Sequence, residues 1–185
     1  FYKMQYEDRL RRLCRYVPGG LPRTILDVGA GYGDFLRFMH RCGWSTQGLE
    51  PARHAYLQIK DRKALGISHG GVEDLPKMRF KRASIVTINN VLEHVRDPRL
   101  VLEMIRSRFL TRKGVLCVIV PNDFSVLQDI LMKSVLKDNV GKHHYWVTPL
   151  EHLNYWSYGM MGRFLIKCGY RILGSSGDFP MEIFP

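Results

Sequence analysis

The sequence predicts a doubly wound α/β domain built on a mostly parallel sheet, and three observations lead there. Short apolar runs alternate with helical patterns through most of the 185 residues. The run Thr24-Ile25-Leu26-Asp27-Val28 breaks into glycines at alternate positions, Gly29, Gly31 and Gly33, and an apolar helical pattern begins at Phe35. Ser84 to Ile88 is continuously apolar or small, as a strand covered on both faces of a parallel sheet must be.

Taken in order, residues 2 to 17 place Tyr6, Leu10, Leu13, Cys14 and Val17 on one helical face, with Arg9, Arg11, Arg12 and Arg15 largely elsewhere. Pro18-Gly19-Gly20 ends that N-terminal helix. After the first strand comes a helix from Asp34 to Cys42, stopped by Gly43. A second strand ends at Glu50, and Pro51 suits the first turn of another helix. Ile67 to His69 is a short third strand. Asp97-Pro98 is an N-cap with proline at N1, opening a helix that turns Leu100, Val101, Met104 and Ile105 inward. Lys113-Gly114 leads into the strand Val115 to Val120. Ser125-x-x-Gln128 is a capping box for a helix through Leu136. A last helix spans Ser157 to Cys168, and Tyr170 to Leu173 reads as a strand. Phe179 to Pro185 looks like part of a further strand, so the chain reads as one domain whose final edge is cut short.

The glycine turn has a steric purpose. Without Cβ atoms its backbone can take positive φ and let a ligand lie against the main chain, under the N–H groups of the following helix. This is the nucleotide-cradling corner of a Rossmann-like sheet. Glu50 stands 23 residues after Asp27, close to the roughly 20-residue offset at which a carboxylate reaches ribose hydroxyls. The place of a third dinucleotide-type glycine is held by Asp34, an acidic neighbour where a pyrophosphate would sit. A nicotinamide oxidoreductase is therefore the least favoured nucleotide-binding class.

Composition bounds the rest. The hydrophobic fraction of 45% and aromatic fraction of 11% are those of a folded domain. No run has transmembrane length and no signal pattern opens the chain, so the expectation is a cytoplasmic protein without a membrane partner. Cys14, Cys42, Cys117 and Cys168 are widely spaced within apolar patterns and read as buried thiols. The formal charge of +11 admits an anionic partner, but the basic residues are scattered and nucleic acid is not favoured.

The pattern Asp27-x-Gly29-x-Gly31-x-Gly33 resembles motif I of class I S-adenosylmethionine-dependent methyltransferases. Val91-Leu92-Glu93-His94-Val95-Arg96-Asp97-Pro98, then Lys113-Gly114, Val120-Pro121-Asn122 and His152-Leu153-Asn154-Tyr155-Trp156-Ser157 resemble the branch of ubiquinone-pathway O-methyltransferases and sugar or secondary-metabolite methyltransferases. The resemblance implies a seven-stranded sheet with S-adenosylmethionine as cofactor. It puts Asp27, Gly29, Gly31 and Gly33 around the methionine end, Glu50 on the ribose, Val72 and Glu73 beside the adenine, and Asn90 near the sulfonium. Relatives often carry Asp where Gly71 stands, so that contact is missing or passes to Glu73 or Asp74.

Residues 137–157 lack a helical period, hold several histidines and aromatics, and follow the fifth strand. Such a segment can form a lid over the acceptor above the carboxyl edge of the sheet. His152 and His144 are candidates for the base that takes a proton from a small-molecule hydroxyl acceptor. Some relatives carry Glu-x-x-Glu-His and bind a divalent ion; here the first carboxylate is Asn90, leaving Glu93 and His94 as a weaker alternative metal pair. RNA 2′-O-methyl transfer and a non-catalytic binding domain are the rival functions.

Overall fold

The computed structural model describes residues 2–126, 130 and 151–177. Five parallel strands lie in the order β3-β2-β1-β4-β5: β1 Thr24–Val28, β2 Ser45–Glu50, β3 Ile67–His69, β4 Ala83–Asn89 and β5 Leu110–Ile119. The chain runs outward from β1 to β3, then returns past β1 to β4 and β5, as doubly wound sheets do. The sheet among the described residues is two strands short of the seven expected.

The helices are α1 Tyr2–Cys14, α2 Asp34–Arg41, α3 Arg53–Gln58, α4 Pro98–Met104 and α5 Tyr158–Lys167. Strand alternation sorts the core into two faces. Leu26, Val28, Val86 and Ile88 join Val101, Leu102, Ile105 and Cys168 on the side of α4 and α5. Ile25, Ile85 and Val115 meet Leu13 of α1 and Phe35, Leu36 and Met39 of α2 on the other. Six consecutive residues of β4 are buried, as its apolar run requires. Asp27 shares the α1–α2 side with Ile25, two places away along the strand, and this decides what sits over it.

The expected starts and stops are built as follows. The Asp97 carboxylate accepts from the Leu100 N–H at 2.9 Å, with Pro98 at N1, and Ser157 caps α5 through the Met160 N–H. Helix α4 leaves through a π-turn, Ile105–Phe109, straight into β5. Strand β5 therefore starts five residues before the expected Val115, with a register irregularity opposite Ala83–Ile85. Tyr170 to Leu173 is not a strand: its backbone finds no ladder partner among the described residues, and the Tyr170 hydroxyl instead donates to the Leu102 carbonyl at 2.8 Å. The four thiols are unpaired, but Cys168 alone is buried; Cys14, at the end of α1, is exposed. Most of the expected helix from Ser125 to Leu136, most of the 137–157 lid and the whole of the final strand at Phe179 to Pro185 lie outside the described residues. No helix among the described residues is long and apolar enough to cross a membrane.

Candidate active site

At the carboxyl end of β1 a cavity of about 190 Å³ is lined by Asp27, Gly29, Ala30, Gly31, Tyr32, Asp34, Phe35 and Asn89, with Tyr6 and Arg9 of α1 as its roof. The glycines there differ in purpose. Gly29 has φ +86°, and a Cβ would lie 2.3 Å from Val91 Cγ2; Gly33, φ +76°, would press on Ile67 and Ile59. Gly31, φ +55°, faces open space with nothing within 4 Å of its missing Cβ. Two glycines permit packing, and the third leaves room for a ligand.

Asp27 is 4% exposed, and its Oδ1 accepts the Thr87 hydroxyl at 2.5 Å. Register places Thr87 directly beside it on β4. Burial pushes the Asp27 carboxyl up to about 6; the Thr87 hydrogen bond and Arg9 draw it back, and Glu50 adds to the rise. At neutral pH such an acid is mainly ionised at a cost in stability, and a cation placed beside it would relieve that cost.

Glu50, 5% exposed, ends β2 and clamps the turn: Oε2 accepts the Gly31 N–H at 2.6 Å and Oε1 the Ala52 N–H at 2.8 Å. A carboxylate has about four acceptor positions, so two backbone bonds leave capacity for hydroxyls. The carboxylate that sequence spacing singles out thus also shapes the glycine turn. Val72 packs on the core from a 3-10 turn, Val72–Lys77, and Glu73 beside it is exposed. Neither lines the cavity. Nor does Asn90, which is exposed with φ +50°; its neighbour Asn89 is the wall.

Sequence reasoning missed Tyr6, Arg9 and Asn89. Tyr6 packs at 5.4 Å from the Phe35 ring, and the Arg9 guanidinium lies 5.0 Å over the same ring. Their i, i+3 spacing puts both on one side of α1, a signal obscured by reading Arg9 as solvent-facing.

A second cluster lies at the same end of the sheet. After β4 a 3-10 turn, Leu92–His94, holds Glu93, 1% exposed. The Glu93 carbonyl accepts the N–H groups of Leu153 and Asn154 at 2.7 and 2.9 Å, and the Asn154 side chain donates to the Leu92 and Val95 carbonyls. Trp156 and Asp123 exchange bonds, through the Trp156 N–H to the Asp123 carboxylate at 2.7 Å and the Asp123 N–H to the Trp156 carbonyl at 2.8 Å. The segment before α5 is thereby stitched across the loops after β4 and β5. Ligand atoms of Glu93, His94 and His152 come within 4.8 Å of one another. Glu93 Oε2 and His152 Nδ1 are buried without a hydrogen-bond partner, while His94 Nδ1 is bonded to the Glu151 carbonyl at 2.6 Å. Burial raises the Glu93 carboxyl, against the opposing pull of its own backbone and the two histidines. His144 lies outside the described residues.

Comparison with known proteins adds a family. Residues 2–174 match the profile of a methyltransferase domain family. Among curated proteins no sequence matches this chain. Among solved structures, an S-adenosylmethionine-dependent methyltransferase from Archaeoglobus fulgidus is 21% identical, with TM-score 0.64 over 91% of this chain and 69% of its own. An S-adenosylmethionine-dependent methyltransferase from Thermotoga maritima is 19% identical, TM-score 0.58, over 90% and 72%. An O-methyltransferase family protein from Burkholderia thailandensis is 17% identical, TM-score 0.57, over 92% and 53%. At these identities the likeness is one of fold.

Proposed function

Because the chain belongs to the methyltransferase domain family, we propose that it transfers a methyl group from S-adenosylmethionine to a hydroxyl oxygen of a small-molecule acceptor in a reducing, cytoplasmic setting. The observation that carries this reading is the cavity in which buried Asp27, the open side of Gly31 and the Arg9 guanidinium meet. An amino-acid zwitterion has complementary charges: its ammonium faces Asp27, and its carboxylate faces Arg9. Glu50 holds the ribose with its remaining acceptor positions, Val72 and Glu73 flank the adenine, and Asn90 or Asn89 lies on the sulfonium side.

The cofactor supplies an electrophilic methyl on a neutral leaving group. The chain's residues align the acceptor and exclude water. His152 takes the hydroxyl proton, and Glu93 beside it stabilises the resulting imidazolium. His144 is the other candidate base.

A thermal-shift panel tests the reading. S-adenosylmethionine and its demethylated product should raise the melting temperature while NADH does not. His152→Ala should keep that shift and lose turnover. No shift with either nucleoside would leave the non-catalytic domain, and unchanged turnover in His152→Ala and His144→Ala would dispose of the histidine base.

The unpartnered Glu93 Oε2 and His152 Nδ1 favour a second reading, in which Glu93, His94 and His152 hold a divalent cation that orients the acceptor oxygen. His94 fits, since a bond from Nδ1–H to a carbonyl leaves Nε2 free to ligate. Loss of activity in chelator with return on adding magnesium or manganese, together with metal retention in wild type but not Glu93→Gln, distinguishes it from the base alone.

A further inference from the structure

The end of the sheet away from the cofactor cavity carries charge that the site does not use. The segments leading into β4 and β5, residues 77–82 and 105–114, hold eight of the 28 Lys and Arg and none of the 17 Asp and Glu. Strand register brings the two together, Ala83 beside Leu110. They are also tied down. The Gln47 side chain brackets the Lys81 backbone, accepting its N–H at 2.7 Å and donating to its carbonyl at 3.0 Å. The Arg82 guanidinium bonds the Leu110 and Ser107 carbonyls, and Arg108 bonds the Pro76 carbonyl. Two arginines thus serve as struts. Arg79, Lys81, Arg106, Arg112 and Lys113 are left exposed, with no carboxylate within ion-pair distance among the described residues. A groove of about 610 Å³ borders this corner between α4 and α5, with Arg106, Ser107 and Lys167 in its walls beside Leu100, Met104 and Glu103, the last already paired with Arg99.

We propose that this corner docks the phosphodiester backbone of a nucleic-acid duplex. Five like charges on a braced surface repel one another, and an anionic polymer relieves that repulsion while releasing its own counterions. Arginine outnumbers lysine here, five to three, and its planar fork suits phosphate oxygens. None of the exposed large hydrophobic side chains belongs to these two segments; Phe80 and Phe109 are turned inward on each other, 6.2 Å apart. These two segments thus offer nothing to insert into a bilayer and no ring on which an unpaired base could stack. A regular row of phosphates is what it matches. Because Asp27 and Asn89 sit at the opposite ends of their strands, the duplex is held away from the methyl-transfer site: it anchors the enzyme and is not its acceptor.

The test is fluorescence anisotropy of the full chain with labelled RNA and DNA duplexes of about 20 base pairs, about one footprint long. Arg79→Glu/Arg112→Glu is compared with Arg11→Glu/Arg163→Glu, which changes net charge equally at other exposed positions. Wild type should bind duplex at 50 mM salt, with log K falling by about 0.9 per phosphate contact for each tenfold rise in salt. The corner variant should bind at least about tenfold more weakly with a slope lower by about two, while the control stays near wild type. The relative strength of the RNA and DNA arms identifies which duplex is preferred. Absence of saturable binding to either, equal losses in both variants, or tighter binding to phosphatidylserine vesicles than to duplex would overturn the proposal. The S-adenosylmethionine thermal shift of the corner variant reads the cofactor site separately and should be unchanged.

Discussion

Asp27 offers the sharpest check on the cofactor cavity, because its burial makes opposite demands on stability and on binding. Its carboxyl stands at about 6 against an ordinary 3.8, raised chiefly by burial. Two units correspond to about 3 kcal/mol, the cost of keeping the charge inside the ligand-free fold at neutral pH. A carboxyl raised on folding binds its proton more tightly in the folded state. Its contribution to stability is therefore full below pH 4 and is lost as pH rises through about 6. Asp27→Asn should remove that dependence and make the ligand-free protein more stable at pH 7.5, by up to about 3 kcal/mol. Its amide oxygen can still accept the Thr87 hydroxyl. Binding responds the other way. A cofactor ammonium pairs with the ionised form, so protons compete with it, and affinity should fall about tenfold per unit below pH 6. Calorimetric titration of wild type and variant from pH 5 to pH 8, with denaturant melts of the ligand-free forms, reads both effects. Affinity independent of pH in wild type, or retained in the asparagine variant, would refute the assignment of Asp27 to the cation.

The glycines and the stitched segment give further outcomes. Gly29→Ala should lower the melting temperature strongly, because a positive φ coincides with a 2.3 Å approach to Val91. Gly31→Ala should cost only about 1 kcal/mol, since its Cβ meets open space, yet should abolish the S-adenosylmethionine shift. Equal loss of stability in the two alanine variants would contradict the roles drawn for them. Asn154→Leu removes both bonds to the Leu92 and Val95 carbonyls and should destabilise by about 2 kcal/mol. It should also speed amide exchange at Leu153 and Trp156 while leaving cofactor binding unchanged; unaltered exchange would show that the stitch is held elsewhere.

What the sequence discloses here is what local chemistry dictates. A strand running into alternate glycines leaves few other conformations, so β1, its turn and the start of α2 are legible residue by residue. Asp97-Pro98 marks the start of α4 for the same reason, because a cap and a fixed φ act within one turn. Contacts made at long range escape. Tyr170 to Leu173 has strand composition, but a strand needs a neighbour, and the Tyr170 hydroxyl anchors that stretch to α4 instead. Glu93 and His152 are far apart in the chain, and only the fold of the segment before α5 joins them.

The cavity itself divides along the same line. Its floor, between Asp27 and Asp34, is the motif; its roof is α1, where an apolar stripe conceals the Arg9 cation. Periodicity sorts residues by hydrophobicity and so assigns Arg9 to solvent. A guanidinium, however, can lay its flat face on an aromatic ring and keep its charge close to a buried acid. Phe35 supplies that ring, and Asp27, two places from Ile25 on the same side of β1, supplies the acid. The charge complement to a zwitterion is thus assembled from a helix and a strand that adjoin only after folding.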